Sequence, residues 1–166
     1  MITTTKQIDD VVGARIVAAG QSVWIDDGII YSSDDAVVQA IVDAYTLDEA
    51  KAALGEKISA LAKAKRDLVV AGISAGEMAA WAIKRDEALK YAATGNASDA
   101  PLLSIEAAAR GVALPVLMAK VSTAATGFAM LEGAIGGAAG KHRDAVTALP
   151  DFASLYVYDY ATGWPV

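Results

Sequence analysis

The chain has 166 residues, enough for one ordinary domain or a domain carrying a small appendage. Hydrophobic residues make up 55% but aromatics only 7%, with alanine supplying much of the remainder, so the expected core is shallow and built from small side chains on closely packed helices. A net charge of −6, with acids and bases interleaved, leaves no footprint for nucleic acid, and the lack of cysteine excludes disulfides, thiolate metal sites and thiol nucleophiles.

The opening stretch, Met1 to Asp10, passes through three threonines to Lys6 and Asp9 and lacks the basic-then-apolar layout of a signal peptide. Folding in a reducing compartment, the cytosol, is the expectation. Val23-Trp24-Ile25 and Ile29-Ile30-Tyr31 are β-prone triplets flanking Asp26-Asp27-Gly28, which predicts a β-hairpin. Ser33-Asp34-Asp35 then offers an N-cap and first-turn acids for a helix through Val37, Val38, Ile41 and Val42. Residues 1–45 therefore read as a small α/β appendage.

From Thr46 the signals are helical. Thr46-Leu47-Asp48-Glu49 fits a capping box, in which hydroxyl and carboxylate each satisfy an orphan backbone donor. Gly72 is placed to end that helix in the left-handed conformation, and Ser74-Ala75-Gly76-Glu77 supplies a second box. The second helix runs through Trp81 and Leu89, both read as core together with Met78, and stops near Gly95-Asn96. A third, capped by Asp99 with Pro101 in its first turn, ends at Gly111. Pro115 opens the last.

Two stripes suggest packing seams. In the last helix Leu117, Val121, Ala124, Phe128, Leu131, Ile135, Ala138, His142, Ala145 and Leu149 alternate steps of four and three, a heptad pattern. In the first long helix Leu47, Leu54, Leu61 and Leu68 lie seven apart, with alanines at 50, 64 and 71 in the companion position and Lys57 as the single break. The fold expected is mainly α, a long-helix hairpin or bundle over residues 46–149 with the N-terminal α/β appendage. The most apolar region, Gly111 to Gly140, is interrupted by Lys120 and Glu132, so no membrane insertion is expected.

Candidate chemistry is sparse. Gly133, Gly136, Gly137 and Gly140 lack the preceding strand and the Gly-Lys-Ser/Thr ending of a phosphate loop, and read as a side of the last helix that lets a neighbouring helix approach closely. His142, the only histidine, falls on the apolar seam and reads as a packed structural residue, because Asp144 two positions on lies on another helix face. Asp26-Asp27, Asp34-Asp35 and Asp48-Glu49 sit where turns or helix N-termini want negative charge, and Lys63, Lys65 and Arg66 read as a solvated face. The C-terminal stretch 150–166, with Tyr156, Tyr158, Tyr160 and Trp164, must dock on its own helices or on another chain. No catalytic residue, cofactor or metal ligand is assigned. Protein-interaction candidates are Leu47, Leu54, Leu61, Leu68, Phe128, Tyr158, Tyr160 and Trp164.

Several segments together resemble a domain of tailed-bacteriophage tail proteins associated with tail fibres and their assembly. They are Tyr45-Thr46-Leu47-Asp48-Glu49-Ala50-Lys51, Ile73-Ser74-Ala75-Gly76-Glu77-Met78, Trp81-Ala82-Ile83-Lys84-Arg85, Glu106-Ala107-Ala108-Ala109-Arg110-Gly111, Lys141-His142-Arg143-Asp144-Ala145-Val146 and Thr162-Gly163-Trp164-Pro165. The resemblance spans residues 45–166. It implies a non-enzymatic structural or assembly role at the tail tip, baseplate or fibre, made in the host cytoplasm, with other tail or fibre proteins as partners and self-association, a trimer being the expected form. The alternatives are a dissociating fibre chaperone or a tail-associated glycan hydrolase with paired carboxylates, for which a narrow alanine-rich bundle offers little cleft.

Overall fold

The computed structural model describes residues 2–26 and 29–165. It is mainly helical with one small antiparallel hairpin near the N-terminus. In chain order the elements are α1 (Asp10–Ala18), β1 (Val23–Asp26), β2 (Ile29–Ser32), α2 (Asp35–Ala44), α3 (Leu47–Val69), α4 (Ala75–Thr94), a 3-10 turn (Ala97–Asp99), α5 (Pro101–Arg110), α6 (Leu114–Ala148) and α7 (Phe152–Tyr156). The hairpin pairs Val23 with Ser32 and Asp26 with Ile29; the predicted turn residues Asp27 and Gly28 lie outside the described residues.

Local chemistry explains most helix ends. Asp34 Oδ1 accepts from Ala36 N and Val37 N to cap α2. The first capping box closes in both directions, with Glu49 N donating to Thr46 Oγ1 at 3.2 Å and Thr46 N donating to Glu49 Oε2 at 2.9 Å. At the second, Glu77 N donates to Ser74 Oγ at 3.1 Å. Gly72, Gly95 and Gly111 have φ of 80°, 66° and 64°, the left-handed region in which glycine carries no Cβ penalty. Helices α1 and α7 were not foreseen, and each is capped by an aspartate, Asp9 and Asp151.

The chain packs as two compact units whose limits differ from the segments 1–45, 46–149 and 150–166 read in the sequence. One comprises Met1–Lys63 with Ala138–Trp164, and the other centres on Ala64–Gly137. In the first, Lys51 Nζ donates to Thr147 O and Arg143 Nη2 donates to Ser59 Oγ, so the first part of α3 runs antiparallel to the end of α6. In the second, Ala88, Ala100, Leu103, Ala107, Leu117 and Met118 form a core flanked by Tyr91, Leu114 and Val121. Its small side chains agree with the alanine-rich composition.

Both seams are rotated from the expected lines. On α3 the buried residues are Ala50, Leu54, Ile58 and Ala62; Leu47 and Leu61 are half-buried and Leu68 is 71% exposed. The break at Lys57 is thereby explained. Its ammonium lies outside, 3.2 Å from Asp10, while Ile58 takes the inward place. On α6 Leu117, Ile135 and His142 of the expected line are buried and Val121 and Leu149 half-buried, but Phe128 is 36% exposed and Ala124 is exposed, while Met118, Ala139 and Val146, one position on, are buried beside them.

Two further expectations are corrected. A Cβ placed on Gly133, Gly136, Gly137 or Gly140 would meet nothing within 4 Å, so these glycines admit no neighbouring helix of this chain. Met78 and Leu89 are surface residues, Leu89 at 62% exposure; it is Glu87 and Ala88 that α4 buries. By length and composition alone, α6 also has the apolar character of a helix that could cross a membrane: an 18-residue window reaches mean hydropathy 1.4, with 11% of it buried.

Candidate functional site

The first unit gathers its polar residues at the meeting of α1, α2, α3 and α7. Asp9 accepts from Val11 N and Val12 N through Oδ1, capping α1, and from the Tyr45 hydroxyl through Oδ2 at 2.6 Å. Tyr45, 1% exposed, packs against Phe152, which packs in turn against Tyr156; Tyr156 Oη accepts from Gln7 N. Lys6 Nζ donates to the carbonyls of Val42, Asp43 and Tyr45 at 2.7–2.8 Å, so all three ammonium protons serve the C-terminal end of α2.

Electrostatics here follow from those contacts. The Arg15 guanidinium, bonded to Glu49, together with the Thr46 amide, holds the Glu49 carboxyl at about 2. Burial first, then the bond to Asp9, pushes the Tyr45 phenol far above its ordinary value. Each group is committed to the fold.

The end of α6 carries the most organised cluster. His142, 7% exposed, has Nδ1 2.7 Å from Tyr158 Oη and Nε2 3.0 Å from Thr162 O. A carbonyl can only accept, so Nε2 carries a proton. In neutral imidazole Nδ1 then accepts from the phenol. Trp164 stacks on the imidazole with centroids 5.5 Å apart and planes 18° apart, and its Nε1 donates to Tyr160 O. The C-terminal aromatics thus dock on their own chain. Both ring nitrogens of His142 thus hold the C-terminal segment. The sequence placed His142 on a seam, but its partners lie 16 and 20 residues on, in a stretch without helical periodicity.

In the second unit, Glu87 is 7% exposed and accepts from Leu102 N at 3.1 Å and Leu103 N at 2.9 Å, capping α5 from a neighbouring helix. Asp99, the cap expected from sequence, instead accepts from Thr94 Oγ1. Glu106 lies between Lys84 at 2.8 Å and Arg110 at 2.6 Å, and the Lys84 bond foremost lowers its pKa. Arg66, read as part of a solvated face, pairs with Glu132 at 2.8 Å. Trp81 meets Phe128 edge to face at 5.4 Å. A shallow open depression lined by Ile83, Asp86, Lys90 and Ser98 adjoins Glu87, whose carboxylate is already spent on α5.

The predicted interaction residues are therefore scattered. Leu54 is buried and Leu68 exposed on α3; Phe128 is engaged by Trp81; Tyr158 and Trp164 enclose His142, and the Tyr160 carbonyl braces Trp164. What remains open is the outer side of α6. Between Val121 and Gly140 its one charged residue is Glu132, turned toward Arg66, and the exposed positions include Ser122, Thr123, Thr126, Gly127, Phe128, Met130, Gly133, Gly136 and Gly137, with alanines between them.

These features define a mainly helical protein with an N-terminal hairpin and an uncharged outer helix face. No family model, curated protein or solved structure matches the chain.

Proposed function

We propose that the chain is a non-enzymatic component of a bacteriophage tail, a structural or assembly protein that acts by binding other tail or fibre proteins. The observation that carries the binding part is the outer face of α6, open to solvent over about five turns with no charge directed outward. Motif resemblance over residues 45–166 supplies the tail context. The conspicuous polar groups support a non-catalytic role in one specific way: His142, Glu87, Glu49 and Lys6 are all occupied in closing helices or anchoring segments.

The test is quantitative mass spectrometry of purified tails together with fibre pull-downs from lysates. Fixed stoichiometry in tails marks a virion component, and recovery with fibres but not virions marks an assembly factor. Recovery in neither overturns the proposal. A second reading places the same α6 face against lipid, favoured by the mean hydropathy of 1.4 over an 18-residue window of the helix. Co-flotation of the purified chain with liposomes would support it, and quantitative recovery in the soluble fraction would refute it.

A further inference from the structure

The hairpin has one edge that its own chain leaves open. Ser33 N donates to Ser22 O at 3.0 Å, which makes 22/33 a hydrogen-bonded pair of the antiparallel ladder, and alternation makes 24/31 and 26/29 the next. The backbone groups of Val23 and Ile25 therefore point away from β2. On the other side of the sheet, Ile2 N donates to Ile30 O and begins to cover β2. Among the described residues no backbone hydrogen bond comes to Val23 or Ile25 from beyond the ladder.

Along this four-residue edge the only charge is Asp26 at its end: no lysine, proline or bulge interrupts Val23–Asp26, while Trp24 is 52% and Ile25 71% exposed. A two-stranded sheet alone is marginally stable, and added strands stabilise it. We infer that β1 pairs antiparallel with β1 of a second copy about a twofold axis at Trp24, giving a continuous four-stranded sheet.

The edge is self-complementary in that register. Val23 of each copy faces Ile25 of the other, and both residues present outward N–H and C=O groups, so the two pairs exchange four hydrogen bonds. Trp24 faces Trp24 in a non-hydrogen-bonded pair, extending the stack that Trp24 already makes with Tyr31 at 6.0 Å and 14°. Asp26 falls opposite Ser22 of the second copy, so no like charges meet. Moving the axis to Ile25 would set Asp26 against Trp24 and shorten the overlap. The pairing uses no part of α6 and holds whether or not the chain belongs to a tail.

Sedimentation velocity of the full chain tests it over a concentration series to about 1 mM. The expected species is a dimer of twice 17.0 kDa. Ile25→Pro removes one outward donor per copy and leaves the intramolecular ladder its own bonds, and should weaken the dimer at least about tenfold. Ile25→Lys, which keeps the N–H but charges the edge, should do the same where proline perturbs folding. Because the chain has no cysteine, Trp24→Cys supplies a single thiol. Facing Cα atoms of about 4.5 Å would let it form a symmetric disulfide under mild oxidation, whereas Val17→Cys, on exposed α1, should not. A monomer throughout the series overturns the inference. So does a dimer indifferent to both Ile25 variants that gives no disulfide at position 24, which would place the contact elsewhere, as on α6.

Discussion

Ile58→Ala and Leu68→Ala, compared in the full chain, test the packing face of α3. Ile58 is 0% and Leu68 71% exposed. Removing three buried carbons costs about 0.8 kcal/mol each in transfer, and the cavity left behind adds to that, for a total of about 3 kcal/mol. In a chain of this length each kcal/mol moves Tm by about 2–4 °C, so Ile58→Ala should melt about 6–12 °C lower. Leu68→Ala should fall within about 0.5 kcal/mol of the parent, or some 2 °C. Thermal unfolding followed by circular dichroism at the helical band gives both values. Equal losses at the two positions, or a larger loss at Leu68, would refute the rotated face and restore the leucine stripe as the seam.

Glu87→Gln should cost about 1–3 kcal/mol, since the amide presents one acceptor and one donor to two backbone donors, and its signature is faster amide exchange at Leu102 or Leu103. Tyr45→Phe should flatten alkaline unfolding. The raised phenol stabilises the fold fully below the unfolded tyrosine value near 10, and that contribution is lost as pH climbs above it, so parent and variant melting curves should converge in alkali. Glu49→Gln should act at the other end of the scale. Its depressed carboxyl stabilises the fold above the unfolded value near 4.3 and loses that contribution as pH falls toward about 2, so the variant should show a shallower acid transition. Truncation after Pro150 should lower Tm as well as any binding, because it strips His142 of Tyr158 and Thr162 and Tyr45 of Phe152; an unchanged Tm would count against the docked arrangement.

What the sequence disclosed was governed by short-range chemistry. The box Thr46 to Glu49, the cap Asp34 and the glycines at 72, 95 and 111 act within one turn, and the structure places them where their spacing put them. The phase of the seams depends on partners far along the chain. On α6 the lines through Ala124 and Ala125 differ by one position and are almost equally apolar, so composition could not choose between them. The choice follows from Glu132 finding Arg66, 66 residues earlier. A shorter separation, 15 and 16 residues, still hid Glu87 as the cap of α5. Helix α1 was locally legible, with Asp9 before it, Val12 and Ile16 four apart and Gly20 after it, but the nearby β-hairpin signal dominated that region. The docking of Tyr158 and Trp164 on His142 had no periodic signal to reveal it.

The placement of the three tryptophans gives the chain built-in optical probes. Trp24 stands half-exposed on the hairpin edge beside Tyr31, Trp81 sits against Phe128 in the second unit, and Trp164 lies flat on the His142 imidazole in the first. Replacing two of the three by phenylalanine yields three single-tryptophan proteins, each reporting a different region when the indole is excited selectively: solvent access at the sheet edge, packing of α4 on α6, and closure of the C-terminal aromatics. Emission recorded through one denaturant titration would then show whether the two units melt together or in turn, with no foreign label attached.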